Sequence, residues 1–327
     1  MSDYLAYRIP NQQAERKVGS FELIGKDDPT TNHFVLSNFN QNKQYIFVPN
    51  DLDFEGTFQA HFSLEEPKVI SKEKYLIYGN RIIEFLRNQS MNKFVFSRIK
   101  KIGFDASNLL KLFEKLCDTY PNAFIYLISS ESEGTWIGAT PETLIQTVND
   151  SGFTMSLAGT KEVGTQEWSP KEYKEQEWVS TYILETLKLN GIKNIEGHGP
   201  YDSEAGNLIH LRTDFSFDLD SNETLSLARN LHPTPAVSGL PKSESIALIN
   251  QIENHELDYS RALYAGFLGF VGNRSSQLYV NLRCCQIFQD AAYLYIGGGY
   301  TEDSSAISEW EETESKSKTL ISVLEKL

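Results

Sequence analysis

The chain has 327 residues, 40% hydrophobic and 12% aromatic, which is enough to build one large or two ordinary domains and too apolar for disorder. Thirty Lys and Arg against 44 Asp and Glu give a formal net charge of -14, which argues against nucleic acid and against an anionic membrane surface as partners. Taken alone, that charge also disfavours an anionic small substrate. Three cysteines, Cys117, Cys284 and Cys285, have no metal-site spacing and read as buried, reduced side chains. The N-terminus lacks a basic stretch followed by an apolar run, and no window approaches 18 apolar residues. The expectation is a cytoplasmic chain without a membrane span.

Residues 1–80 read as largely irregular, with short strand-like runs at YIFVP (45–49) and FQAHF (58–62). KFVFSRIKKI (93–102) is β-branched and aromatic and predicts a strand. Ser107 then reads as the N-cap of a helix whose apolar stripe carries Leu109, Leu110, Leu112, Phe113 and Leu116. AFIYLISS (123–130), TWIGA (135–139) and FTMSLAG (153–159) predict strands. Ser169, Pro170 and Glu172 fit the N-cap, first and third positions of a capping box opening a long helix. NLIHLRTDFSFDL (207–219) reads as a long strand and SESIALINQIE (243–253) as a helix. ALYAGFLGFV (262–271), QLYVNLRCCQIF (277–288) and AAYLYIGGGY (291–300) read as consecutive antiparallel strands, before a closing helix from about Ser304 to Lys326. Long late strands and the lack of an early Gly-rich loop favour α+β over a doubly wound sheet.

Several residues carry chemistry. Glu172 and Glu175 on one helix, and Glu309 and Glu312 on another, are each three apart and share a helical face. If the two faces met, their carboxylates could hold Mg²⁺; otherwise they are solvated acidic pairs, and Glu172 is already explained as a cap. Lys93 starts a strand of Phe94, Val95 and Phe96, and is either a surface lysine or a buried base. Glu142, after a strand and Pro141, is either a helix cap or a general acid whose pKa apolar neighbours raise. Gly159 with Thr160, and Gly297-Gly298-Gly299, mark either strand irregularities or places where something approaches the backbone closely. Arg283, placed mid-strand, needs an anionic partner, internal or bound. His210 and His232 read as structural histidines.

Together these stretches resemble the chorismate-utilising enzymes, and among them the isochorismate synthases. The matching runs are KFVFSR (93–98), WIGATPETLI (136–145), LAGTKEVG (157–164), SPKEYKEQEWV (169–179), NLIHLRT (207–213), LHPTPAVSGLPK (231–242), ALYAGFLGF (262–270), LYVNLRC (278–284), LYIGGGY (294–300) and EWEETESK (309–316). The resemblance covers about 93 to 316. The catalytic core is placed at 81–327, with residues 1–80 as a shortened N-terminal part integrated with it, in an α+β fold of large antiparallel sheets flanked by helices.

The resemblance implies a reaction in which water adds at C2 of chorismate while the C4 hydroxyl leaves, feeding menaquinone or siderophore synthesis. It implies Lys93 as the base that activates water and Glu142 as the acid that protonates the leaving hydroxyl. Glu175 and Glu312 match direct Mg²⁺ ligands, with Glu172 and Glu309 further out. Gly159, Thr160, His210, Ala236, Arg283, Gly297 and Lys316 match substrate-binding positions. Ala158 stands where the aminodeoxychorismate branch has a lysine, and the anthranilate branch usually lacks the lysine matching Lys93. Water is therefore the implied nucleophile, with salicylate synthases as the close alternative and a catalytically inactive chorismate-binding relative as the other. Gln176 replaces a histidine, and Phe270 stands where many relatives have Tyr or Trp, so a hydroxyl contact to substrate is expected to be missing. No glutaminase subunit is implied, and a monomer is expected.

Overall fold

A computed structural model describes residues 2–25, 32–50, 59–88, 91–164, 167–205 and 208–327. The N-terminal segment forms four strands, β1 (Asp3–Arg8), β2 (Glu15–Leu23), β3 (His33–Ser37) and β4 (Gln44–Pro49), and a helix α1 (Lys72–Asn88). It is therefore far more regular than its sequence suggests. Next come β5 (Lys93–Gly103), α2 (Leu109–Thr119), β6 (Phe124–Ser130), β7 (Gly134–Thr140), β8 (Thr143–Val148) and β9 (Ser151–Glu162). They are followed by α3 (Pro170–Leu189), β10 (Lys193–Ala205), β11 (Leu208–Asp218), α4 (Thr224–Leu231), the short β12 (Gly239–Leu240) and α5 (Lys242–Ile249). The chain closes with β13 (Phe267–Val271), β14 (Ser275–Val280), β15 (Cys284–Ile287), β16 (Ala291–Tyr300) and α6 (Ala306–Leu324).

The class is α+β. One antiparallel sheet of 16 strands runs in the order β10-β11-β9-β8-β14-β13-β3-β4-β2-β1-β6-β7-β15-β16-β5-β12. The N-terminal strands lie at its centre and join β13 on one side to β6 on the other. Alternation along the strands feeds two cores. From β6, Phe124, Tyr126 and Ile128 enter one core, while Ile125 and Leu127 enter the other with Leu109, Leu112, Phe113 and Leu116 of α2. Both faces of β6 and β7 are buried, which explains why their sequences are mostly apolar rather than alternating.

Local chemistry departs from sequence expectation at a few points. Ser107 is not the cap of α2: a single 3₁₀ turn at Ala106–Asn108 precedes that helix, and Asp105 caps it by accepting from the Ser107 N–H. The 243–253 helix passes at Asn250 into a π-helical turn, Asn250–Glu256. The run 277–288 is two strands. It breaks at Asn281-Leu282-Arg283, where Arg283 has φ +48°, so β14 pairs with β8 and β13 while β15 pairs with β7 and β16. The strand expected at 262–271 starts only at Phe267. The three glycines 297–299 lie within β16 and pair continuously with β5 rather than interrupting it. Among the described residues no helix is long and apolar enough to cross a membrane.

Candidate active site

Strand β9 lies near one end of the sheet order and β5 near the other, yet both line one pocket. The sheet therefore curls until its ends face each other. The space between them, closed by α3 and α6, measures about 990 Å³ including its mouth. Into it point Lys93 from β5, Glu142 from the β7–β8 turn, Gly159 and Thr160 from β9, and His210 from β11. Ala236, Arg283, Gly297 and Lys316 complete this wall, with Glu172 and Glu175 of α3 and Glu312 of α6 opposite. Glu309 is not at the wall; it lies behind, 2% exposed.

Lys93 is 3% exposed, and its Nζ lies 3.5 Å from Glu175 Oε2. It is a buried lysine and not a surface one. The glycine run explains how it reaches the pocket. A Cβ on Gly299 would come 3.0 Å from Lys93 Cε, one on Gly298 3.3 Å from Glu309 Oε2, and one on Gly297 2.7 Å from the Tyr264 hydroxyl. Each glycine clears the path of one functional side chain.

Glu142 caps no helix, since β8 follows it directly. It is 4% exposed, and burial raises its pKa to about 7 against the opposing charges of Lys93, Arg283 and Lys316. A carboxyl poised there can hold a proton near neutrality and give it up.

His210 is buried, and its pKa falls to about 3 through burial and the neighbouring Arg283. Its Nδ1 lies 2.9 Å from the Gly159 carbonyl, which only accepts, so Nδ1 carries the proton and Nε2 is left as an acceptor 3.5 Å from Arg283 Nη2. Thr160 Oγ1 approaches the same Nδ1 at 3.2 Å. Gly159 itself has φ +67°, and a Cβ there would meet Glu172 Cβ at 3.1 Å. Arg283 is half-buried, and among the described residues no carboxylate lies within ion-pairing distance. Burial pulls its pKa down from that of a free guanidinium. An anionic ligand would satisfy it.

The acidic wall is made by two helical stripes. The buried stripe of α3 runs Glu175, Val179, Ile183, Leu187, and that of α6 runs Glu309, Thr313, Ser317, Leu320. Glu172 closes the capping box, accepting from the Ser169 N–H at 2.9 Å. Lys171 donates to Glu309 Oε1 at 2.8 Å and stands 3.8 Å from Glu175 Oε1. Burial would lower its pKa, but Glu309 and Glu175 hold it raised. Burial and the charge of Glu312 push Glu309 up, whereas Lys316, 2.6 Å from Glu312, outweighs burial and keeps Glu312 low. Lys316 also donates to the Gly297 carbonyl at 3.0 Å. The donor set is hard oxygen, and Glu309 Oε2 is buried without a hydrogen-bond partner, so the residues suit a divalent cation such as Mg²⁺. Among the described residues no three acidic groups are gathered as a ligand cluster, and Lys171 and Lys316 pair with Glu309 and Glu312.

Some expectations change. Phe270 lies in β13 opposite Gln277 and does not line the pocket, so its missing hydroxyl leaves no gap there. A hydroxyl comes instead from Tyr264, which lines the pocket beside Gly297 and was invisible in a run read only as strand. Gln176, buried on α3, bonds Ser156 and Thr213 and docks the helix on the sheet. His232 is structural, its Nε2 2.9 Å from the Phe39 carbonyl.

The family model described as "Chorismate binding enzyme" matches residues 33–325. The chain belongs to the chorismate-binding enzymes. Within this family it is 28% identical over 247 residues to isochorismate synthase EntC of Escherichia coli K12, covering 71% of this chain and 62% of that relative. It is 28% identical over 288 residues to isochorismate synthase MenF of Bacillus subtilis, covering 83% and 59%. The chain thus spans about three-fifths of the length of these curated relatives. The structure of MenF, the menaquinone-specific isochorismate synthase of E. coli, superposes with a TM-score of 0.82 at 17% identity, covering 98% of this chain and 88% of that one. That likeness shows the fold.

Proposed function

We propose that this chorismate-binding enzyme is an isochorismate synthase that adds water at C2 of chorismate and expels the C4 hydroxyl. One observation carries the reading: a buried amine, Lys93, and a carboxyl poised near neutrality, Glu142, share a pocket whose Arg283 has no carboxylate within ion-pairing distance among the described residues. Ala158 in the same wall means that no lysine stands at that position to serve as a nucleophile, which favours water.

In this reading Lys93 takes a proton from water as the oxygen attacks C2. The ring double bond shifts, the C4–O bond breaks, and Glu142 protonates the departing hydroxide to give water. Lys93 ends one proton richer and Glu142 one poorer, so the two exchange a proton before the next cycle. Arg283 and Tyr264 hold the enolpyruvyl side, and His210 presents its Nε2 lone pair toward the ring. Glu175 and Glu312 would hold Mg²⁺, with Glu172 and Glu309 further out. When bound, the ion neutralises the ring carboxylate and orients the substrate.

The test is product analysis after incubating the purified chain with chorismate and Mg²⁺, with EDTA as control. Isochorismate alone supports the reading. Salicylate with pyruvate makes the chain a salicylate synthase, and no Mg²⁺-dependent turnover makes it an inactive binder.

A further inference from the structure

The acidic wall contains its own cation. Lys171 Nζ bridges α3 and α6, 2.8 Å from Glu309 Oε1 and 3.8 Å from Glu175 Oε1. All its polar partners among the described residues are carboxylates. Lys316 differs, because it is also anchored to the Gly297 carbonyl. The carboxylates are deeply placed, with side chains 2% and 10% exposed, while the lysine is 27% exposed at the pocket rim and has solvent to move into. Carboxylates this close need a positive charge among them. An ammonium supplies one charge on a flexible stem, whereas a divalent ion supplies two and needs the same oxygens.

We propose that Lys171 is the resident counter-ion of the metal-free site, displaced when Mg²⁺ binds, so that it sets the threshold cation concentration for filling the site. This rests on reading the site as a Mg²⁺ site, but its test needs no chorismate. The apparent dissociation constant equals the intrinsic one divided by the fraction of molecules in which the lysine has left. Removing the lysine removes that competition.

The experiment is calorimetric titration of Mg²⁺ into the wild type, Lys171→Met and Lys171→Arg. Lys174→Met serves as a charge control: Lys174 is 54% exposed on the same helix, with its Nζ 4.0 Å from Glu302 and 5.2 Å from the centre of the Trp178 ring. Lys171→Met should bind Mg²⁺ at least about tenfold more tightly than wild type. Lys174→Met should stay within about twofold, since a distant exposed charge is screened. Metal-free Lys171→Met should also melt lower than wild type, and Mg²⁺ should close that gap. Reductive methylation of the wild type, read by mass spectrometry, needs no variant: Lys171 should react faster at saturating Mg²⁺. Lys171→Met binding no more tightly than Lys174→Met, or a Lys171 labelling rate indifferent to Mg²⁺, would overturn the proposal. If neither wild type nor Lys171→Met binds Mg²⁺, the proposal also falls, while chorismate turnover still judges the functional reading separately.

Discussion

Glu142→Gln should separate stability from chemistry. Burial lifts the Glu142 carboxyl from its ordinary 4.5 to about 7, so the folded chain disfavours the ionised form. Below pH 4.5 the group is protonated folded or unfolded and the penalty is absent. Between 4.5 and 7 the unfolded chain releases the proton first and the penalty grows; above 7 it is constant. At 1.36 kcal/mol per pH unit that gap is worth about 3 kcal/mol. Glutamine keeps the shape and removes the charge. The variant should therefore gain up to about 3 kcal/mol over wild type at pH 8 and close to nothing at pH 4. Urea unfolding of both proteins across pH 4–8, free of metal and substrate, measures this. Isochorismate formation should meanwhile fall about 10²–10⁴-fold for loss of the general acid. Wild-type kcat/KM should decline about tenfold per pH unit above 7, where free Glu142 loses its proton. A stability difference that does not vary with pH, or a variant less stable at pH 8, would refute the assignment of the shift to burial.

Lys93→Ala should abolish isochorismate formation while the circular dichroism spectrum stays that of wild type; turnover near the wild-type rate removes Lys93 from the mechanism. Gly299→Ala places a Cβ 3.0 Å from Lys93 Cε and pushes the amine by a few tenths of an ångström. It should lower kcat about 10–100-fold with a melting temperature close to that of wild type. Arg283→Met should raise KM for chorismate far more than it lowers kcat, because the lost contact is to a bound carboxylate in substrate and transition state alike; an unchanged KM would place that carboxylate elsewhere.

Whole-chain charge is a poor guide to the charge of the pocket. The -14 of the sequence bears on solubility and encounter, while the pocket wall carries Lys93, Lys171, Arg283 and Lys316. The residues with reactive chemistry were legible because their types and spacing are local: the Glu-x-x-Glu pairs, the capping box before Glu172, the glycines of β16. The structure then shows Glu175 and Glu309 on the buried stripes of α3 and α6.

Of the four N-terminal strands only β4 showed, in the run YIFVP; β1 and β3 were hidden in part because they also pair far along the chain, β3 with β13 and β1 with β6. Tyr264 was hidden for the same reason, since its hydroxyl becomes a pocket group only where β16 passes at Gly297. Sequence alone determined the inventory: two acidic helices, a lysine and a glutamate at strand ends, an arginine in need of an anion. The tertiary structure decided that the sheet curls until β5 and β9 face one pocket, that Arg283 sits at a left-handed break with no carboxylate in ion-pairing distance among the described residues, and that Lys171 lies among the glutamates. Side-chain type and helical or strand period are properties of neighbouring residues, whereas the meeting of distant strands depends on which long-range pairings bury the most apolar surface, and no local window contains that.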